Sequence, residues 1–330
     1  MKNRYKVISL FSGCGGSDLG LTGGFRYLGK NYSRLPFEIS CAVDNDIKAV
    51  ETYNANFEHP AILSDIESCS MKDFPNHVDV VIGGFPCQSF STVNPKKNPF
   101  DERGQLYMQM AKILKSKKPK VFIAENVKGM LVLKNGEIYR NIEKAFSKAG
   151  YRVQHKLLNA ADFGIPQKRQ RVFMIGVRSD IKKDFNYPEQ PFSENPTGKQ
   201  KKWVGLKNVI DSLYPDDSKY FFSEKAVKGM RNAKNNMKRG LWQDLEKPCL
   251  TLTSHLAKVS INSRDPVLLV DKKKDLYRRF TPLEAARIQS FPDNFKFVGS
   301  EASAYKQIGN AIAPVMMWHI AKSILKVLEN

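Results

Sequence analysis

Short apolar runs alternate with amphipathic stretches over slightly more than the first half of the chain. The apolar runs, each of strand length, cover residues 6–11, 37–43, 61–63, 78–82, 119–124, 151–158 and 172–177. Apolar residues at helical spacing occupy the intervals 47–56, 106–117 and 137–149. Strands that are apolar on both faces and alternate with helices predict an α/β fold, with a doubly wound, mostly parallel sheet between layers of helices.

The regular alternation ends near residue 178, and a different kind of sequence follows. Over residues 178–280, 22 lysine and arginine residues stand against 13 acidic residues, and Trp203 and Trp242 lie among short polar runs. This composition predicts a smaller, irregular second lobe that binds a polyanion, although any single lysine there could equally belong to a solvated surface. The last helix, residues 312–328, carries one apolar stripe and is predicted to return to the sheet.

The whole chain shares this basic character. Its 53 basic and 33 acidic residues give a net charge of +20, far more than solubility requires, which favours a polyanionic partner, most simply nucleic acid. A basic surface that is only solvated is the alternative. The five cysteines form no C-x-x-C pair, so neither a disulfide framework nor a zinc site is indicated, and no metal is expected.

The amino-terminal residues do not have the pattern of a signal peptide. A strand and a glycine-rich loop begin within the first 13 residues, too early for an apolar leader. We expect no apolar run of membrane-spanning length, and therefore a cytoplasmic protein without membrane attachment in a reducing compartment.

Three helix starts can be located from capping residues. Ser17 or Asp18 can cap the helix after the first glycine-rich loop, and Asp46 can cap the helix after the second strand. Thr281 and Glu284, which lie on either side of a proline, predict a capping box at a third helix.

Polar groups at the ends of the first three strands are predicted to surround one small ligand. The first strand leads into the loop SGCGG at 12–16, but Asp18 stands where the third glycine of G-x-G-x-x-G would fall, so a pyrophosphate ligand is not favoured. Asp44 ends the second strand, where an acid can bond ribose hydroxyls, and Asp65 follows the third strand. Because the carboxyl ends of parallel strands share one edge, we predict a nucleoside-like ligand there.

Cys87 follows the fourth strand, in the stretch VDVVIGGFPCQSFS at 78–91. A buried, inert cysteine is the ordinary explanation of a lone thiol. Here two glycines and a proline shape a loop that another molecule can approach closely, and Gln88 and Ser91 add polar groups that a buried turn does not need. We interpret Cys87 as a nucleophile. The polar segment 94–105 behind it is either a mobile lid or an ordinary surface connection.

Glu125 ends the next strand along the chain. In a desolvated pocket its carboxyl group would have a raised pKa and could donate a proton or a hydrogen bond. A helix cap is the alternative, although Asn126 fits that role better. Arg169 and Arg171 alternate before the last strand, so we expect both guanidinium groups on one face, where they would suit a phosphate or a pyrimidine carbonyl.

These segments together resemble the DNA (cytosine-5) methyltransferases, and the resemblance runs through most of the chain. A chain without regulatory domains is similar to the prokaryotic restriction-modification methyltransferases of that family. The resemblance implies S-adenosylmethionine as cofactor, double-stranded DNA as substrate and methyl transfer to carbon 5 of a flipped cytosine. The segments that carry it are FSGCGGSDLGL at 11–21, Asp44, SDI at 64–66, GGFPCQSFS at 83–91, ENV at 125–127, QKRQRVF at 167–173, RRFTPLEAARIQSFP at 278–292 and YKQIGNAIAP at 305–314.

The resemblance also implies roles for individual residues. Cys87 would add to carbon 6 of the base, and Glu125 would hold N3 and the exocyclic amine. Arg169 would lie near the carbonyl O2, and Arg171 would stabilise the loop. Substrate contacts are implied for Gln88, Ser91 and Thr251. The residues implied at the cofactor are Phe11, Gly13, Gly15, Gly16, Asp44, Asn45, Asp65, Ile66, Pro86, Leu106 and Asn310.

By the same resemblance, residues 1–188 are expected to form a catalytic and cofactor-binding domain, 189–301 a target-recognition domain with a hinge, and 302–330 a segment that returns to the catalytic domain. The implied protein partner is a cognate restriction endonuclease that acts on the same DNA site. We expect a monomer in a prokaryotic cytoplasm, associated with the nucleoid through DNA.

Two alternatives stay open from the sequence. One is an RNA (tRNA) cytosine-5 methyltransferase on the same core, and the other is a non-catalytic nucleic-acid-binding homologue. The long irregular region favours duplex DNA over RNA, because a lobe must reach into a groove to select a site. The presence of Cys87, Glu125 and both arginines disfavours a non-catalytic module.

Overall fold

The computed structural model describes residues 4–85, 106–232, 242–258 and 266–329, and a seven-stranded sheet lies at its centre. The described strands are β1 (Tyr5–Leu10), β2 (Phe25–Tyr27), β3 (Lys30–Tyr32), β4 (Phe37–Asp44), β5 (Ala61–Leu63), β6 (Val80–Gly83), β7 (Val121–Val127), β8 (Tyr151–Asn159), β9 (Gln167–Lys168), β10 (Gln170–Arg178), β11 (Phe192–Ser193), β12 (Lys201–Lys202), β13 (Cys249–Leu250), β14 (Leu268–Asp271) and β15 (Leu276–Arg278). The described α-helices are α1 (Gly16–Thr22), α2 (Ile47–Asn54), α3 (Leu106–Lys117), α4 (Gly129–Val132), α5 (Glu137–Lys148), α6 (Glu224–Asn232), α7 (Pro282–Ile288), α8 (Glu301–Asn310) and α9 (Pro314–Leu328).

The large sheet has the strand order β5-β4-β1-β6-β7-β10-β8. Neighbouring strands from β5 to β7 are parallel, whereas β10 runs antiparallel to both β7 and β8. The predicted doubly wound, mostly parallel α/β fold is confirmed. Because β10 is reversed, its amino-terminal end lies at the same edge as the carboxyl ends of β1, β4, β6 and β7, and this edge collects the candidate residues.

Helices cover both faces of this sheet. On one face α1 packs against α9, in a core that includes Val7, Met316 and Ile320. On the other face α3 and α5 pack against the sheet through residues such as Leu114 and Phe146. The apolar stripe predicted for the last helix is buried against the sheet as expected.

The run Glu301–Leu328 is long and apolar enough to cross a membrane if only length and composition are considered. This corrects the expectation that no such run occurs. In the folded protein 67% of its most apolar window is buried, and the run is divided into α8 and α9. A helix that is apolar on most sides is the usual core helix of a large domain.

We keep the name second lobe for the described residues between 189 and 301, whose strands form two-stranded ladders. β11 pairs with β12, β14 pairs with β15, and β13 pairs in parallel with β9 of the first lobe. A third apolar cluster joins the lobes, because it contains Cys14 of the glycine-rich loop, Cys249 and Leu252 of the second lobe, and Ile308 of α8. The domain boundaries expected at residues 188 and 301 stay a prediction.

A buried ion pair stabilises the connection from the second lobe to α7. The guanidinium of Arg278 donates to both carboxylate oxygens of Glu284, at 2.7 Å each. It also donates to the carbonyl oxygens of Ser212 and Leu213. Glu284 accepts from the backbone N–H of Thr281, which completes the predicted capping box. Removing one partner of such a pair leaves a buried charge unpaired, which typically costs roughly 3–5 kcal/mol.

Two predicted helix caps are wrong. Gly15, with φ of 90°, is the N-cap of α1, and Asp18 lies inside that helix, fully buried. Asn126 does not begin a helix, because β7 continues beyond it. Asp46 caps α2 as predicted and accepts from two backbone N–H groups of the first turn. The other predicted elements of the sheet and its helices are confirmed, with ends displaced by no more than three residues.

Asp18 lies beneath the glycine-rich loop among hydroxyl groups. Its Oδ1 accepts from Ser9 Oγ at 2.7 Å and from Ser17 Oγ at 3.4 Å, and the nearby Tyr53 hydroxyl also lowers the pKa of this carboxyl group. Burial raises the pKa of Asp18 to about 6, compared with ~3.9 for an exposed aspartate.

We predict that Asp18→Asn removes a pH dependence of folding stability. The native protein keeps the Asp18 proton that the unfolded chain releases between about pH 4 and pH 6, so the free energy of unfolding falls as the pH rises through that interval, by roughly 3 kcal/mol. Asparagine cannot ionise, so the variant should lack this fall and be the more stable protein near neutral pH. Urea unfolding across this pH range measures the effect, and equal profiles for both proteins would contradict it.

Candidate active site

Glu125 and Arg171 form an ion pair at the carboxyl edge of the sheet. Phe173 lies opposite Glu125 in the β7–β10 pair, and Arg171 is two residues away on β10, a diagonal neighbour within reach of a long side chain. Arg171 Nε lies 3.0 Å from Glu125 Oε1, and the two side chains are only 15% and 14% exposed. Burial raises the pKa of Glu125, and the positive charges of Arg171 and Arg169 lower it in part. The carboxyl group is therefore desolvated and held by a guanidinium.

Arg169 lies in a different environment. It is 2% exposed, and its terminal nitrogens donate to the carbonyl oxygens of Leu252, Gly309 and Ala311 at 2.9, 2.8 and 3.1 Å. Within the part of the chain that the structure describes, its Nε has no partner. Burial and the charge of Arg171 lower the pKa of Arg169, but a guanidinium titrates so far above neutrality that it stays charged. Arg169 thus connects the second lobe to the end of α8 and the residue that follows this helix.

The structure places the two arginines in different surroundings, and their roles at the base and at the loop stay predictions. The sequence predicted both on one face, with Arg169 near the base and Arg171 stabilising the loop. Instead, Arg169 N donates to Gln167 O at 3.0 Å, and this tight turn between β9 and β10 breaks the alternation of a continuous strand. Arg171 is the guanidinium beside Glu125, and Arg169 is the one bonded to backbone carbonyl groups of the surrounding segments.

The chain that leads toward the predicted nucleophile passes directly beside Glu125. Asn126 Nδ2 donates to the carbonyl oxygen of Phe85 at 3.2 Å in the buried interior, just after the end of β6. A Cβ atom on Gly84 would lie 3.4 Å from Glu125 Oε2. Asn126 therefore fixes the last described residue before the Cys87 loop against β7.

Four predicted site residues lie outside the described residues: Pro86, Cys87, Gln88 and Ser91. The predicted lid at 94–105 lies outside them as well. The described chain ends at Phe85 and resumes at Leu106, the first residue of α3. Leu106 and Phe11 pack against the same apolar cluster, so these two predicted cofactor residues share one side of the edge.

Asp44 holds the glycine-rich loop from the end of β4. Its Oδ2 accepts from Gly13 N at 2.8 Å, and its Oδ1 accepts from Asp46 N at 2.9 Å. Burial raises the pKa of Asp44, and these backbone bonds lower it in part. Gly13 has φ of +55° and no atom within 4 Å of the position of a Cβ, and Ser12 Oγ is buried without a partner among the residues described. An open backbone surface beside an unpartnered hydroxyl and a carboxylate fits the predicted nucleoside-like ligand.

The other two glycines of the loop are required by packing. A Cβ on Gly15 would lie 2.3 Å from the ring of Phe57, and one on Gly16 would lie 2.5 Å from the carbonyl oxygen of Ile312. The loop can lie against the segment that follows α2 and the segment before α9 only because these side chains are absent.

The remaining predicted cofactor residues differ in exposure. Asn45 and Asp65 are exposed, and Asp65 Oδ1 accepts from a backbone N–H two residues later at 3.0 Å. Ile66 is buried in the apolar cluster that Phe11 also contacts. Asn310 is exposed at the end of α8, between the two residues whose carbonyl groups accept from Arg169.

Two exposed apolar residues near this edge were missed by sequence reasoning. Ile47, at the start of α2, is 54% exposed, and Leu63, which is paired with Asp44 in the sheet, is 50% exposed. Both could cover part of an apolar ring system. Sequence patterns do not single them out, because one isoleucine or leucine in a helix or strand is usually counted as core.

Thr251 lies beside the segment that carries the arginines. Its Oγ1 donates to Lys168 O at 2.8 Å, next to the β13–β9 pair. In the same place the buried amide of Gln167 accepts from Leu252 N at 2.9 Å and donates to Gln289 Oε1 at 2.6 Å. Sequence reasoning missed Gln167 and Gln289, because their partners are more than 80 residues away along the chain.

These groups define what the edge can do chemically. A desolvated carboxyl group beside a guanidinium can hold a polar heterocycle and stabilise charge that develops on it. The open glycine-rich loop on the neighbouring strand can hold a second ligand close by. Among the described residues, no group of three or more histidine, cysteine or acidic side chains could hold a metal ion.

Comparisons with known sequences agree on one family. The profile of the C-5 cytosine-specific DNA methylases matches residues 5–326. Type II methyltransferase M.NgoPII of Neisseria gonorrhoeae is 36% identical over 352 residues, which cover 99% of this chain and 97% of that protein. Type II methyltransferase M.FnuDI of Fusobacterium nucleatum is 36% identical over 345 residues, which cover 98% of this chain and 95% of that protein.

A solved structure with the same fold has lower sequence identity. The Entamoeba histolytica methyltransferase EhMeth matches with a TM-score of 0.77 at 19% identity, covering 100% of each chain. At this identity the likeness supports the fold alone, whereas the sequence matches over nearly the full length show the family. The chain belongs to the C-5 cytosine-specific DNA methylases, and it is a DNA cytosine-5 methyltransferase.

Proposed function

We propose that this enzyme methylates carbon 5 of a cytosine extruded from one short site in duplex DNA, as the methyltransferase of a restriction-modification system. The ion pair of Glu125 and Arg171, which is mostly shielded from solvent, carries the proposal, because it offers both a carboxyl group and a cation at the edge toward which the Cys87 strand leads. The Type II names of the relatives support the restriction-modification assignment.

We propose S-adenosylmethionine as the ligand of the loop around Gly13. Asp44 has lone pairs beyond those used by the loop and would accept from the ribose hydroxyls. Asp65 and Ile66 would lie at the adenine, and Ser12 would gain a polar partner. When bound, S-adenosylmethionine supplies an electrophilic methyl group on a sulfonium centre.

In the proposed reaction the Cys87 thiolate adds to carbon 6 of cytosine, and negative charge spreads over the ring to N3 and O2. Glu125, with its raised pKa, would share a proton with N3 and accept from the exocyclic amine. Arg171 would oppose the charge from beside Glu125. Carbon 5 of the resulting enamine would take the methyl group as the bond from that group to the sulfonium breaks, leaving the neutral thioether S-adenosylhomocysteine. A base would then remove the carbon 5 proton, and the electron pair of that C–H bond would restore the ring double bond as the thiolate leaves carbon 6.

The target cytosine must leave the helix, because groups at a recessed sheet edge cannot reach a stacked base. Extrusion costs a few kcal/mol, which phosphate contacts of the basic second lobe would offset. Thr251 stands where the second lobe meets β9. We propose that it lies near the extruded nucleotide, together with Gln88 and Ser91 of the Cys87 loop.

The RNA alternative is not favoured. The relatives that match almost the whole chain are named Type II methyltransferases. A non-catalytic homologue is not favoured either, because the chain keeps Cys87, Glu125 and both arginines. We also propose a cognate endonuclease that acts on the same site, a monomeric state, and a prokaryotic, cytoplasmic location at the nucleoid.

We predict that Cys87→Ser abolishes methyl transfer and leaves cofactor binding intact, because a hydroxyl is a far weaker nucleophile than a thiolate. Transfer of radiolabelled methyl groups to duplex DNA measures the reaction, with tRNA as a second substrate. Calorimetric titration with S-adenosylhomocysteine measures the cofactor site. Labelling of DNA by the variant at the wild-type rate would refute the mechanism, and labelling of tRNA in place of DNA by the wild type would favour the RNA alternative.

We predict opposite consequences for the two arginines. Arg171→Gln removes the cation beside Glu125, so kcat should fall by on the order of 10²–10³-fold. The free energy of unfolding should fall by less than in the Arg169 variant, because the raised pKa of Glu125 lets this carboxyl group take up a proton in place of the lost cation. Arg169→Gln deprives buried carbonyl groups of their donors, so the free energy of unfolding should fall by roughly 2–5 kcal/mol.

Methyl transfer and urea unfolding, measured on the same preparations, separate these two outcomes. The change of charge and size is the same at both positions, so each variant serves as the control of the other. An unstable but fully active Arg171→Gln protein, together with a stable but inactive Arg169→Gln protein, would restore the roles first expected from the sequence.

A further inference from the structure

The turn that follows β7 presents an apolar residue between two lysines at the carboxyl edge of the sheet, where Glu125 lies. We name residues 128–136 the post-β7 turn. Lys128, Val132 and Lys134 are exposed, Val132 by 60%. The residues between them are not: Met130 is buried, and the leucines on either side of Val132 pack partly against the apolar cluster shared with α3 and α5. The exposed side chains therefore belong to a turn whose other side chains pack into the apolar core.

The backbone of the post-β7 turn has an unusual conformation. Lys134, Asn135 and Gly136 have φ of 48°, 52° and 77°, in the left-handed region that favours glycine. Arg140, in the first part of α5, donates from Nη1 to Asn135 O at 2.9 Å. A strained backbone that a side-chain bond holds in place is typical of segments that position a functional group.

The position of this turn indicates which part of a bound substrate it can contact. α4 begins two residues after β7 ends, so the turn stands on the edge that carries Glu125. Any substrate that reaches Glu125 from solvent must pass this edge. Lysines there suit phosphate groups, and an exposed apolar side chain suits a sugar or a base face where a duplex is distorted.

We propose that the post-β7 turn contacts the DNA next to the extruded cytosine. Lys128 and Lys134 bind backbone phosphates, and Val132 packs against a sugar or an unstacked base face. The inference rests on the proposed function, because it requires duplex DNA at this edge.

Two variants test the two parts of this contact. Lys134→Gln removes one phosphate contact, so the slope of log affinity against log salt concentration should become shallower by about one. Val132→Ser removes apolar contact area, so binding should weaken by roughly three- to tenfold with an unchanged salt slope. Because charge and apolar contact affect different quantities, the two effects can be told apart.

Lys148→Gln is the matched control. Lys148 is also exposed and carries the same charge, but it is the last residue of α5, about 16 Å along the helix axis from its first residue. This variant should keep the wild-type affinity and salt slope.

The probe is a fluorescent duplex that carries the methylated context read from the genomic DNA of an expression host. Anisotropy across a salt series gives affinity and slope, and methyl transfer is measured on the same duplex. If the wild type methylates this duplex while Lys134→Gln and Val132→Ser bind it like the wild type, the inference is wrong and the proposed function stands. Equal losses for the Lys134 and Lys148 variants would also contradict it. A wild type that methylates no DNA would overturn the proposed function itself.

Discussion

The arrangement of the active edge depends on one buried guanidinium group. Arg169 donates to carbonyl oxygens of Leu252, Gly309 and Ala311, and so joins the second lobe and the segment before α9 to the start of β10. A Cβ on Gly309 would lie 2.3 Å from the backbone of Thr253, so these segments touch through their backbones. A planar group with five donors can satisfy carbonyl groups from segments far apart in sequence, which the single ammonium of a lysine cannot do in the same geometry.

With Arg169 engaged in this way, Arg171 is the arginine that faces Glu125. The reversed direction of β10 places Arg171 at the carboxyl edge, and burial gives the pair its electrostatic effect, because an attraction that water would screen is strong in a desolvated site. Two opposing influences act on the pKa of Glu125: burial raises it and the arginines lower it. Asn126, next along the strand, points to the other side and fixes Phe85 at the start of the Cys87 loop. One strand thus supports both the group that holds the base and the chain that leads to the nucleophile.

Much of this fold could be predicted from the sequence, because parallel strands buried on both faces are continuous apolar runs. The polar residues where such runs stop, Asp44 and Glu125, were predicted at the shared edge, where the structure has them. The different surroundings of Arg169 and Arg171 could not be predicted, because period-two alternation assumes a continuous strand and the turn at Gln167 interrupts it. Hydrogen bonds such as Gln167–Gln289 and Asn126–Phe85 join residues that are far apart in sequence. They depend on tertiary packing, which the local pattern of apolar and polar residues does not reveal.

Expression in a host that lacks cytosine methylation tests the central claim most directly. Bisulfite sequencing of the host's genomic DNA reads every methylated cytosine, with the Cys87→Ser protein as control. The account predicts protected cytosines in one short, fixed context with the wild-type enzyme and none with the control. Unprotected DNA in cells that contain soluble wild-type enzyme would contradict it.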